Sequence, residues 1–146
     1  MRFRSFMEAA TPKLDKTYEI PYLAGYSKDG KTVYIDKRIN PILILSDGKK
    51  MDVTPYLVKH ESTEKHLIDT MGYKYQYAHE KATAAEREKV EADGYPWDEY
   101  QKYVLGEYKR LKDLSPDAKV PADLDTKPEV DTHDTAELSF IKGHQK

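Results

Sequence analysis

The chain has no cysteine, which excludes disulfides, thiolate nucleophiles and cysteine-based zinc sites together. Any metal must therefore be held by histidine and carboxylate, and the composition fits a reducing, cytoplasmic setting. Long apolar runs are missing as well: no 18-residue hydrophobic stretch occurs, and the opening MRFRSFMEAATPKL places Glu8 where a signal peptide needs a continuous apolar core. A cytoplasmic, soluble chain with no membrane partner is expected. Charge of one sign is also lacking. The net charge is -2, with acids and bases interspersed and no Lys/Arg cluster to outline a basic face, which argues against a nucleic-acid partner. Phenylalanine is scarce, 3 residues against 12 tyrosines, so the core is wet at its edges or a cleft is lined with phenol hydroxyls.

What is present fits one small α+β domain. Its 146 residues suffice for a single core, kept modest by 38% hydrophobic and 34% charged residues. The first half reads as strands: an irregular one in KTYEIPYLAGY, one at about 31 to 37, and a short buried one at about 42 to 45, separated by the turns SKDG and SDGK. These predict a small N-terminal sheet packed on three helices. Thr54-Pro55 marks a helix start, Thr54 as N-cap, with a stop at Gly72. A second helix fits 74 to 92 before Gly94, and a third runs from Pro96-Trp97 to about Leu111 with a core stripe of Trp97, Tyr100, Val104, Tyr108 and Leu111. Residues 1 to 114 form the expected domain. Residues 115 to 146, rich in Pro, Asp, Lys and Thr, form an extended C-terminal arm, packed across the domain or loose in solution.

The informative stretch is H-E-S-T-E-K-H at 60 to 66. At about 100° per residue, His60, Glu61 and Glu64 fall inside the apolar stripe of Leu57, Leu67, Ile68 and Met71, whereas His66 falls on the opposite side and reads as solvated. Ionised carboxylates on a buried face need a cation, a proton or hydrogen bonds. The second helix repeats the anomaly, with His79 and Glu86 among Ala78, Ala82, Ala85 and Val90. An antiparallel pairing of the two helices about Gly72 brings His79 level with Glu64. His60, Glu64 and His79 then make a three-ligand set, with Glu61 beside the ion to act on its water and Glu86 as a group orienting a ligand histidine or a salt-bridge partner. The metal-free reading is a hydrogen-bonded cluster paired with Lys89 or Arg87. Tyr73, Tyr75 and Tyr77 at the turn are edge packing or a phenol for a developing oxyanion. The lack of Glu-x-x-His pairs argues against a diiron, ferritin-like bundle.

Val58-Lys59-His60-Glu61-Ser62-Thr63-Glu64 resembles the active-site helix of zincin-type metallopeptidases, whose motif is H-E-x-x-H; here Glu64 replaces the second His. The resemblance covers roughly residues 31 to 93. It implies a zincin-like fold, His60 as first ligand, Glu61 as general base, Glu64 in the second ligand position and His79 as third ligand. It also implies that KTVYIDKRI borders the cleft and pairs with an extended peptide substrate. Zinc is the implied ion, with Mn or Fe favoured by the added carboxylate. Two functions compete. One is a small metal-dependent hydrolase, most simply a peptidase acting on peptide or protein; the other is a non-catalytic binding or assembly protein, of phage or prophage type, on a zincin-like fold.

Overall fold

The computed structural model describes residues 12–114 and 120–125. They form an α+β domain with strands β1 Lys13–Asp15, β2 Ala24–Tyr26, β3 Thr32–Ile35, β4 Ile42–Ile44 and β5 Lys50–Asp52, followed by helices α1 Thr54–Met71, α2 Tyr75–Ala92 and α3 Trp97–Leu114.

The strands make two small sheets where the sequence suggests one. In the first, of order β1-β3-β2, β1 runs parallel and β2 antiparallel to β3, with Leu14 opposite Val33 and Gly25 opposite Tyr34. The second is the β4–β5 hairpin, turned at Gly48, whose φ of +88° suits a residue without Cβ. β5 escapes a pattern search because its Lys-Met-Asp carries a single apolar residue, Met51, fully buried. Ile42-Leu43-Ile44 is not the buried run expected: Leu43 points inward while Ile44 is 57% exposed, so the hairpin covers the core with one face only.

α1 spans the expected residues, but Thr54 is not its N-cap. Thr54 lies inside the helix, and its N–H donates to the Asp52 carboxylate at 2.9 Å. Gly72 closes α1 in the left-handed region at φ +70°, with its N–H on the Ile68 carbonyl. The apolar stripe of α1 holds at its start and fails at its end: Tyr56 and Leu57 are buried, whereas Leu67 and Ile68 are half-buried and Met71 is exposed. α2 packs back along α1, its contact face made small by the buried Ala78 and Ala82. The main core gathers Val33, Ile35, Met51, Val53, Leu57, Val90, Tyr100 and Leu111 from the sheets and all three helices.

β3 is the central strand of its sheet, paired on both sides. That corrects the expectation that the 31 to 37 stretch offers an edge to a substrate, because neither edge has free backbone groups to give. The free edge of β2 is taken too. The Lys28 N–H donates to the Asp123 carbonyl and the Asp125 N–H to the Tyr26 carbonyl, each at 2.8 Å, and Ser27 bridges antiparallel to Leu124. Leu124 is buried with Ile20 and Tyr34 on the sheet face away from α1, and Asp125 reaches the α1 side to bind Lys65 at 2.8 Å. The remainder of the expected arm, with His133 and His144, lies outside the described residues. Among the described residues no helix is long and apolar enough to cross a membrane.

Leu124→Ala is expected to lower stability by about 2–5 kcal/mol, as for other buried leucines, and Val120→Ala, at a residue 38% exposed, to stay within about 0.5 kcal/mol. Urea denaturation of the full chain measures both; a wild-type midpoint for Leu124→Ala would show that residues 120–125 contribute nothing to the folded core.

Candidate metal centre

The antiparallel α1–α2 pair brings His60, Glu64, His79 and Glu86 to one point. α1 supplies His60 and Glu64 one turn apart, and α2 supplies His79 and Glu86 two turns apart in the opposite sense, so the pairs 64–79 and 60–86 face each other. His60 Nε2 lies 3.2 Å from Glu64 Oε2, His79 Nδ1 lies 2.9 Å from the same oxygen, and the two ring nitrogens are 3.3 Å apart. Among the described residues these three form the group whose ligand atoms converge closely enough for one ion. Tetrahedral zinc with bonds of about 2.1 Å sets its ligands about 3.4 Å apart. The triangle needs only a few tenths of an ångström of opening, and two imidazoles with a carboxylate are a fitting donor set.

The second polar atoms of His60, Glu64 and Glu86 have partners of their own. His60 Nδ1 meets Glu86 Oε1 at 2.9 Å, so Glu86 takes the orienting role and Nε2 is left for the convergence point. The Tyr100 hydroxyl donates to Glu86 Oε2, and the Tyr26 hydroxyl to Glu64 Oε1 at 3.1 Å. Burial, reinforced by the charges of Glu64 and Glu61 beside Tyr26 and of Glu86 beside Tyr100, raises both phenols far above their ordinary value and keeps them donors. Glu61 is half-buried and stands outside the converging group.

Neither Tyr26 nor Tyr100 is identifiable as a site residue from sequence. Tyr100 reads as core, which it is, but its hydroxyl serves Glu86; the tyrosine excess is the available signal. The expected partners of a metal-free cluster are elsewhere: Lys89 pairs with Asp93 and Arg87 with Glu91. Tyr73 packs edge-on against Tyr77, and Tyr75 stacks on His79 with ring centres 5.6 Å apart. His66 is exposed, as its helix side requires.

Comparison of the chain with protein-family models, with curated proteins and with solved structures finds no match in any of the three.

Without a cation the cluster is held by a proton. Burial alone pushes the His60 imidazolium down, but hydrogen bonds to Glu64 and Glu86, and both their charges, carry it well above the ordinary 6.5. Burial likewise pushes the Glu64 carboxyl up, and His60 and His79 outweigh it, holding it at about 2. A raised histidine stabilises the fold fully below its unfolded value and loses that stability as pH rises through the folded value; a depressed carboxyl stabilises above its unfolded value and loses it on acidification. In chelator-treated protein the contribution should thus peak between the ordinary values of 4.5 and 6.5. Urea midpoints across this range and up to pH 9 should show an alkaline fall in wild type that His60→Gln lacks. Parallel profiles for the two proteins would rule out a charged His60.

Proposed function

We propose that this chain is a small metal-dependent hydrolase whose cation is held by His60 Nε2, Glu64 Oε2 and His79 Nδ1. The observation that carries the reading is the mutual spacing of those atoms, 2.9 to 3.3 Å, set against the separation a tetrahedral ion imposes. Charge count supports it. Two carboxylates, Glu64 and Glu86, meet around one imidazole; a single proton leaves one negative charge uncompensated, whereas a divalent ion with neutral imidazoles leaves none. Zinc suits the two imidazoles, and the carboxylate also admits Mn or Fe.

A divalent cation here would lower the pKa of water into the neutral range. The chain's own groups supply the rest. Glu61, next to His60 and outside the ligand group, takes the proton of the attacking water and returns it to the leaving group. Glu86 fixes His60 in the tautomer that presents Nε2. A peptide bond is the substrate that the zincin-like H-E-x-x-E helix suggests, with the substrate held somewhere other than β3.

A metal-free reading has its own support, since the hydrogen bonds close on one another: Glu86, His60, Glu64 and His79 form a continuous chain capped by Tyr100 and Tyr26. In that case the cluster is structural and the chain is a binding or assembly protein.

Elemental analysis of protein from metal-replete expression separates the readings. Near-stoichiometric Zn, Mn or Fe is expected in wild type and in Glu61→Gln, and none in His60→Ala. With a cleavable peptide from a library screen, turnover of Glu61→Gln should fall by about 10²-fold or more. Metal-free wild type would leave the structural cluster standing, and a Glu61→Gln protein stripped of metal would make Glu61 a ligand.

A further inference from the structure

We infer that Tyr26 fixes the denticity of Glu64, holding it to one oxygen at the cation and so keeping a coordination position open. The inference rests on the metal site proposed above and concerns what the second oxygen of Glu64 does. A carboxylate closes on a cation through one oxygen or through both. With two imidazoles already present, that choice decides whether the ion keeps room for water.

Glu64 Oε2 faces the convergence point, 3.2 Å from His60 Nε2 and 2.9 Å from His79 Nδ1. Oε1 is turned away and accepts the Tyr26 hydroxyl at 3.1 Å. The phenol therefore occupies the oxygen that bidentate binding would require. Tyr26 is well anchored for this purpose. Its residue lies in β2 opposite Val33, its carbonyl accepts the Asp125 N–H at 2.8 Å, and its ring lies 5.3 Å from Lys65 Nζ. The geometry recurs on the second carboxylate, where Glu86 gives Oε1 to His60 and Oε2 to the Tyr100 hydroxyl. In both places a phenol on one element caps the outer oxygen of a glutamate on another, leaving one oxygen for the imidazoles. Tyr26 stands outside the converging group and acts as a positioning residue through Glu64.

The test is the visible spectrum of the full chain loaded with Co(II), whose absorption is intense when four-coordinate and weakens as the coordination number rises. Wild type is compared with Tyr26→Phe, which keeps the ring. Tyr34→Phe is the control, because it removes another phenol hydroxyl bonded to a carboxylate, that of Asp123 at 2.5 Å, away from the cluster. All three proteins are expected to take up one Co(II). Tyr26→Phe should show weaker, shifted bands as the released Oε1 joins the ion, and Tyr34→Phe should superimpose on wild type. Identical spectra for Tyr26→Phe and wild type would overturn the role of Tyr26 while the metal site stands. Failure of wild type to bind Co(II) in excess would overturn the metal site, and the role of Tyr26 with it.

Discussion

Two carboxylates buried between paired helices are the constraint around which the rest of this domain is arranged. Glu64 and Glu86 are 3% and 6% exposed, and an unpartnered buried anion costs several kcal/mol, so the α1–α2 pair can close only if positive charge and hydrogen-bond donors close with it. His60 stands between the two and meets both. A proton on His60 satisfies the geometry but not the full charge; a divalent ion beside it satisfies both. The same atoms can therefore serve as a stabilising ion network or hold a metal ion.

The donors that complete the network come from outside the helix pair. Tyr26 arrives from β2 and Tyr100 from α3, so the three-stranded sheet and the third helix are each tied to the site by one phenol. The C-terminal segment contributes in turn: it pairs with the edge of β2 that carries Tyr26, and its Asp125 fixes Lys65, the neighbour of Glu64 on α1. Hydrogen bonds in such a low-dielectric network reinforce one another.

The helical half of this picture is legible in the sequence because its rules are local. Pro55 and Gly72 bound α1 to within one residue, and a fixed angle per residue places His60, Glu64, His79 and Glu86 on facing sides before any contact is known. The strands resist the same treatment. Each has three or four residues, too few for alternation to stand out, and β1 and β5 carry a single apolar side chain apiece. The phenol caps are beyond such reading for another reason. Tyr26 and Glu64 are separated by 38 positions, and only the docking of β2 on α1 joins them. Lys65, buried although charged, is likewise explained by Asp125, 60 positions away and out of reach of helical periodicity, whereas its i,i+4 partner Asp69 is exposed.

Access to the cluster follows from what surrounds it. His60 and Glu64 have side chains 10% and 3% exposed, against 31% for His79, so the convergence point opens to solvent on the His79 side, where the Tyr75 ring stacks on the imidazole. On the sheet side, Tyr26 closes the approach with its hydroxyl and β2 has its edge covered by residues 123–125. A strand added to the β2 edge would have to displace that segment, breaking the Lys65–Asp125 pair and uncovering Leu124. The convergence point of His60, Glu64 and His79 is thus open along the helix pair at His79 and closed on the side of the sheet.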